Sequence, residues 1–93
     1  MKNGDINDFL NQLYYGGELV FEYAGIRYFI QGWTTSDRNF MALDYDSNEQ
    51  FKKYFWIHEA ATMKECADAF LSAPIWNGKN FSQIQEEVTW SDW

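Results

Sequence analysis

The sequence predicts an α+β domain with the order helix, four-stranded antiparallel sheet, then two C-terminal helices packed on the sheet. Apolar residues at helical spacing occur near the two ends of the chain, and segments that alternate apolar and polar residues occur between them. Because helices and strands do not alternate along the chain, neighbouring strands are expected to pair antiparallel. A length of 93 residues suits a single domain, predicted over residues 1–93.

The first helix is predicted over residues 5–15. Asp5 can accept hydrogen bonds from the free amides of the first turn. Gly16 and Gly17 are expected to end the helix, because glycine readily adopts the left-handed conformation beyond a helix C-terminus. The apolar stripe consists of Ile6, Phe9, Leu10 and Leu13.

A β-hairpin is predicted from two alternating segments, 18–24 and 26–33, joined by the two-residue turn Ala24-Gly25. This register sets Glu22 opposite Arg27, and a slip of one residue would scramble the apolar face. The first face carries Leu19, Phe21, Tyr23, Ile26, Tyr28 and Ile30. The second face carries apolar residues among its charges, so we expect a helix, a loop or another subunit to cover it in part; they are Val20, Phe29 and Trp33.

Two further strands are predicted at residues 40–45 and 53–58. A polar turn over 34–39 precedes them, and the turn-forming residues 46–49 separate them.

Two helices follow the strands. The second helix begins at Thr62, where Thr62 and Glu65 have the spacing of a capping box, and Pro74 stops it. Its apolar stripe consists of Met63, Cys66, Ala67 and Phe70. A short last helix is predicted from about Asn80, after the turn Asn77-Gly78, with an apolar face of Phe81, Ile84 and Val88.

The net charge of −7, from 14 acidic and 7 basic side chains, disfavours some partners. Nucleic acid and anionic membrane surfaces both attract clustered cations, so neither is expected to bind. One interpretation is that the charge only maintains solubility, and the other is that it favours a basic protein surface.

Chain features also predict a cytoplasmic protein. The single cysteine, Cys66, cannot form an intramolecular disulfide. The first residues lack the apolar run of a signal peptide, and no segment approaches the roughly 20 apolar residues of a membrane span.

Few side chains are suited to catalysis. Nucleophilic catalysis would need the only histidine, His58, beside the only cysteine, Cys66. Cys66 lies on an apolar stripe, where a free cysteine usually acts as a small hydrophobe, and His58 is interpreted as a residue at the edge of the core. Glu86 and Glu87 are neighbours on a helix and point in different directions. No catalytic residue is predicted, and the chain is not expected to be an enzyme.

Neither a metal site nor a cofactor site is predicted. Asp44-x-Asp46-x-Asn48 has the spacing that opens an EF-hand loop, but the sixth and twelfth positions, which require Gly and Glu, hold Glu49 and Phe55. We interpret the segment as a polar turn. A structural zinc site would need four ligands, for which one Cys and one His do not suffice.

The segment from Gly17 to Tyr28, GELVFEYAGIRY, resembles a family of small uncharacterised proteins of Gram-positive gut bacteria. The later stretch from Glu65 through Phe70-Leu71 and Pro74-Ile75 to Asn77-Gly78-Lys79 is similar to the same family. The resemblance covers most of the chain from Gly16 onward. In that family a polar residue more often precedes the turn glycine, where this chain has Ala24. The resemblance implies a fold and no assigned activity.

Aromatic residues make up 20% of the chain, with 8 Phe, 6 Tyr and 5 Trp. The tryptophans near loops or the end of the chain, Trp33, Trp76, Trp90 and Trp93, either cap the core edges or form a binding or dimer surface. The candidate interaction surface consists of Val20, Phe29, Trp33, Trp90 and Trp93.

The leading hypothesis is a small interaction module of the inhibitor, immunity or regulatory type. It would bind a protein partner, favouring a basic one, or itself as a homodimer. The alternative is a small-molecule sensor with an aromatic-lined pocket.

Overall fold

A helix, a five-stranded antiparallel sheet and C-terminal helices form the part of the chain that the computed structural model describes, residues 1–45 and 56–91. The α+β class is confirmed. The elements in chain order are α1 (Ile6–Tyr14), β1 (Leu19–Tyr23), β2 (Ile26–Thr35), β3 (Arg38–Tyr45), β4 (Trp56–Ala60), α2 (Met63–Ser72), α3 (Phe81–Ile84) and β5 (Thr89–Ser91), with a 3₁₀ turn at Gln85–Glu87. The strands are ordered β4-β3-β2-β1-β5 across the sheet.

The prediction of a four-stranded sheet is wrong, because β5 adds a fifth strand beside β1. The last helix was expected to carry Val88 on its apolar face, but α3 ends at Ile84. Val88 is buried on extended backbone, with φ −83° and ψ 134°. From there the chain continues along the open side of β1, and Trp90 lies opposite Phe21.

The register of the β1–β2 hairpin is confirmed at every predicted pair. Tyr23 lies opposite Ile26, and Glu22 lies opposite Arg27. Ala24 and Gly25 both have positive φ, 53° and 80°, which is the backbone of a type I′ turn.

The connection between β2 and β3 is shorter than predicted. A turn over 34–39 was expected, but β2 continues to Thr35 and β3 begins at Arg38, so only Ser36 and Asp37 form the turn. β4 runs from Trp56 to Ala60, two residues beyond the predicted end of its strand. The predicted turn 46–49 and the start of the predicted strand at 53–55 lie outside the described residues.

The predicted cap at Asp5 forms, and the capping box predicted at Thr62 and Glu65 forms only in part. Asp5 accepts a hydrogen bond from the amide of Asn7 at 2.7 Å, and the Thr62 hydroxyl accepts one from the amide of Glu65 at 3.1 Å. The carboxylate of Glu65 accepts a hydrogen bond from the Thr62 hydroxyl instead of a backbone amide. The reciprocal capping box occurs at α3, between Asn80 and Gln83.

The core lies between the helices and one face of the sheet. One buried cluster joins residues of α1, α2 and α3 to residues that share that face, among them Phe21, Tyr28, Ile30, Met41 and Leu43.

Trp76 is also part of this cluster. It is held by a two-residue hairpin in which its backbone exchanges two hydrogen bonds with Lys79, at 3.0 and 3.1 Å. Its indole packs against the rings of Phe21, Tyr23, Tyr28, Phe70 and Phe81.

The two edges of the sheet differ. Beside β5, the Lys2 amide donates to the carbonyl of Val88 at 2.8 Å, and the Trp90 amide donates to the carbonyl of Lys2 at 2.9 Å. The N-terminal residues therefore close the β5 edge. At the opposite edge, β4 pairs only with β3 among the described strands.

Candidate interaction surface

The side of the sheet that faces away from the helices is termed the second face. Because side chains alternate along a strand, the register places Val20, Phe29, Trp33, Phe40, Ala42 and Ile57 on this side. The helical core cluster contains none of them. Among the described residues, the helices therefore all pack on the other face.

The middle of the second face is buried, and its aromatic side chains are partly exposed. Val20 and Ala42 are each 1% exposed. Phe29, Trp33 and Phe40 have intermediate exposure. The rings of Trp33 and Phe40, directly opposite each other on β2 and β3, stack with centroids 5.5 Å apart and an interplanar angle of 9°.

An apolar patch flanked by an ion pair lies where the second face meets the β4 edge. Ile57, opposite Ala42, is 50% exposed. Next to it, Arg38 Nε donates to Glu59 Oε2 at 2.8 Å. We term these residues the corner patch: Trp33, Arg38, Phe40, Ile57 and Glu59.

The structure separates the residues of the predicted interaction surface. Val20, Phe29 and Trp33 share the second face, and Val20 is buried within it. Trp90 lies on the helical side, edge-on to Phe9 with centroids 5.4 Å apart. Trp93 lies outside the described residues. The interaction role of these residues stays a prediction.

Four residues of the corner patch were missed from the sequence: Arg38, Phe40, Ile57 and Glu59. A signal for Phe40 was present, because extending the alternation of β2 through a two-residue turn sets Phe40 beside Trp33. The six-residue turn expected over 34–39 interrupted this alternation, so Phe40 was not assigned to the same face as Trp33. In β4, apolar residues on both sides of the strand hid which side Ile57 occupies.

The thiol of Cys66 faces backbone carbonyl oxygens. Cys66 Sγ donates to the carbonyl of Asn39 at 3.4 Å and to that of His58 at 3.8 Å. Burial raises the pKa of the Cys66 thiol, which disfavours the nucleophilic thiolate. The imidazole of His58 stacks on Trp56 with an interplanar angle of 8°.

The calcium-like spacing at Asp44 is only partly described. Asp44 is on the second face opposite Phe29 and is 9% exposed, whereas Asp46 and Asn48 lie outside the described residues. Over residues 1–45 and 56–91, no group of three or more His, Cys, Asp or Glu side chains is placed to hold a metal ion.

A polar cluster joins α1 to α2 on the helical side. Tyr14 Oη donates to Asp68 Oδ1 at 2.7 Å, and Lys64 Nζ donates to Asp68 Oδ2 at 2.8 Å. The hydrogen bonds from Lys64 and then from Tyr14 lower the pKa of Asp68. The bond to Asp68 raises the pKa of Tyr14 and that of Lys64. Tyr14 lies on α1, and Lys64 and Asp68 lie on α2, so these hydrogen bonds connect the two helices near the protein surface.

No protein-family model, curated protein or solved structure gives a significant match to this chain. In the described part of the chain, no helix has the length and apolar character needed to cross a membrane.

Proposed function

We propose that this protein is a cytoplasmic protein-interaction module that binds a protein partner or a second copy of itself through the corner patch. The observation that carries the proposal is the half-exposed Ile57, on the same face as the stacked Trp33–Phe40 pair and flanked by the Arg38–Glu59 ion pair.

The composition of the corner patch suits a protein surface. Protein interfaces bury an apolar centre within a polar rim, and tryptophan and arginine are enriched among the residues that contribute most to affinity. Here Ile57 and Phe40 provide apolar area, while Arg38 and Glu59 provide charges of both signs at the margin. Burial of apolar surface is worth about 25 cal/mol per Å² before the losses on association.

Net charge decides which foreign partners are favoured. At −7, the chain attracts a basic surface and repels an acidic one, which changes the association rate more than the final affinity. A basic protein is therefore the favoured partner if the partner is not a second copy.

Capture with matched surface variants tests the proposal. Wild-type protein, Ile57→Ser and Ile26→Ser are immobilised in equal amounts and exposed to cytoplasmic extract of the source organism. Ile26 is a suitable control because it is also an exposed strand isoleucine, 43% exposed, but it faces the helical side next to the Ala24-Gly25 turn. Retained proteins are identified by mass spectrometry and their affinities are then measured with purified components.

We expect wild type and Ile26→Ser to retain the same partner equally, whether that partner is another protein or a second copy of the chain. Ile57→Ser should bind this partner about tenfold more weakly, because one apolar contact at the centre of the patch is lost. Equal retention by all three proteins, or retention of none by wild type, would show that the corner patch is not a binding surface.

A further inference from the structure

Described residues close the β5 edge of the sheet, and none of them closes the β4 edge. At β5, the amide of Lys2 and the side-chain amide of Asn3 bond to the carbonyls of Val88 and Trp90, at 2.8 Å in both cases. No described residue occupies the corresponding position beside β4. Alternate residues of an edge strand direct their N–H and C=O groups away from the sheet, so β4 presents backbone donors and acceptors there.

β4 also lacks three of the features that commonly protect an edge strand. Exposed edges are commonly blocked by lysine, by proline or by a bulge. The strand Trp56–Ala60 contains neither lysine nor proline, and it pairs with β3 without interruption from Trp56 to Ala60. It contributes two side chains to the corner patch: Ile57, which is apolar and half-exposed, and Glu59, which forms the ion pair with Arg38.

We propose that β4 pairs antiparallel with β4 of a second copy, so that the two sheets join into one continuous sheet. This inference rests on the proposed function and deepens it by naming the partner and the mode of binding. An antiparallel pair of identical strands has a two-fold axis, and one edge therefore serves both copies.

A two-fold axis at His58 pairs the whole described strand. In that register Trp56 lies opposite Ala60 of the second copy, and Ile57 lies opposite Glu59 of the second copy. The two Glu59 carboxylates do not face each other, and each keeps Arg38 of its own chain at 2.8 Å. Ile57 then packs against the aliphatic parts of that ion pair, which removes its exposed surface from water.

Part of the net charge of −7 lies far from the β4 contact. Glu59 is the only acidic residue of β4, and it forms an ion pair with Arg38 of the same chain. Of the other acidic residues, Asp44 on β3 and Glu65 on α2 lie on elements next to β4. Glu86 and Glu87 precede β5, which is four strand spacings from β4, about 19 Å. That distance is more than twice the Debye length of about 8 Å at physiological salt, so their repulsion is largely screened.

Register-specific charge variants test the proposal in purified protein without any other partner. The mass is measured by sedimentation equilibrium from low micromolar to about millimolar concentration, because an edge contact of one strand is smaller than a standard interface and is expected to be weak. The variants are Ile57→Glu, Ile57→Lys and the control Ile26→Glu. Circular dichroism confirms that each variant is folded.

We expect wild type to approach the dimer mass at the upper concentrations. Ile57→Glu should weaken the dimer about tenfold, because the new glutamate of each copy then lies opposite Glu59 of the other copy. Ile57→Lys should bind as tightly as wild type or more tightly, because lysine then faces Glu59. Ile26→Glu should not change the association.

A wild-type monomer at every concentration would overturn the dimer. Equal weakening by Ile57→Glu and Ile57→Lys, or a dimer unaffected by both, would overturn pairing at β4 in this register. Because these measurements contain only this protein, a monomer that still captures another protein through Ile57 would refute the dimer and leave the proposed function supported.

Discussion

Truncation of Phe81 to alanine tests whether the short α3 helps to hold the core together. Phe81 is 1% exposed. Its ring stacks on Phe9 with centroids 5.3 Å apart and also contacts Phe70 at 5.4 Å, Phe21 at 5.5 Å and Trp76 at 6.0 Å. These neighbours come from α1, α2, β1 and the Trp76 hairpin, so one side chain connects four parts of the chain.

The expected loss is about 4 kcal/mol, within the range of about 3–5 kcal/mol measured for buried phenylalanine truncations. The loss should exceed the lower end of the range, since each aromatic pair adds about 0.5–1.5 kcal/mol beyond area burial. A domain of this length has a total stability of roughly 5–14 kcal/mol. The melting temperature should therefore fall by on the order of 20 °C.

Urea unfolding followed by tryptophan fluorescence and circular dichroism measures this loss. Phe81→Leu, which retains most of the volume, should lose about 1–2 kcal/mol. Tyr15→Ala, at a site 89% exposed at the end of α1, should change stability by less than about 0.5 kcal/mol. A loss below about 1.5 kcal/mol for Phe81→Ala, with an unchanged denaturant slope, would refute the central position of Phe81.

Three further changes test the local geometry. Gly32→Ala should destabilise by about 1–3 kcal/mol in urea unfolding, because a Cβ there would lie 2.8 Å from the backbone Cα of Gly16; a neutral result would contradict that close approach. Ala24→Asn should stabilise by about 0.5–1 kcal/mol, because asparagine tolerates the φ of 53° better than alanine does, and a lower melting temperature would argue against a type I′ turn. Asp68→Asn should lower the free energy of unfolding at neutral pH. Urea titrations at a series of pH values should show that its difference from wild type becomes smaller at both low and high pH. The lowered pKa of Asp68 means that its contribution is present above the usual value of 3.8 and lost as pH falls through the folded value. The raised pKa of Tyr14 means that its contribution is present below 10.0 and lost as pH rises through the folded value; a deficit independent of pH would contradict both.

The β1–β2 hairpin could be predicted from the sequence because local and long-range requirements agree there. The Ala24-Gly25 turn fixes the register, and that same register places all the apolar residues of one face together. α1 was predictable for a similar reason, since Asp5 and the apolar stripe indicate the same start.

β5 could not be predicted because its strand depends on a distant partner. A segment of three residues, Thr89–Ser91, has too few positions for an alternation to be recognised. Its backbone pairs with β1 on one side and with Lys2 on the other, at sequence separations that no local pattern reports. The same pairing turns Trp90 towards Phe9, away from the surface for which it was a candidate.

The corner patch and the β4 edge are adjacent, and together they favour a second copy as the partner. The core takes up Trp76 and Trp90, and this reduces the apolar surplus that first suggested an aromatic binding surface. On the described part of the second face, Ile57 is the exposed large apolar residue, and it lies on the strand whose outer edge no described segment closes. When two sheets join across an edge by a two-fold axis perpendicular to the sheet, equivalent faces lie on the same side. The two corner patches would then adjoin and shield each other, so that a single contact pairs the backbone groups at the outer edge of β4 and buries Ile57. Neither feature alone specifies a second copy as strongly as their adjacency does.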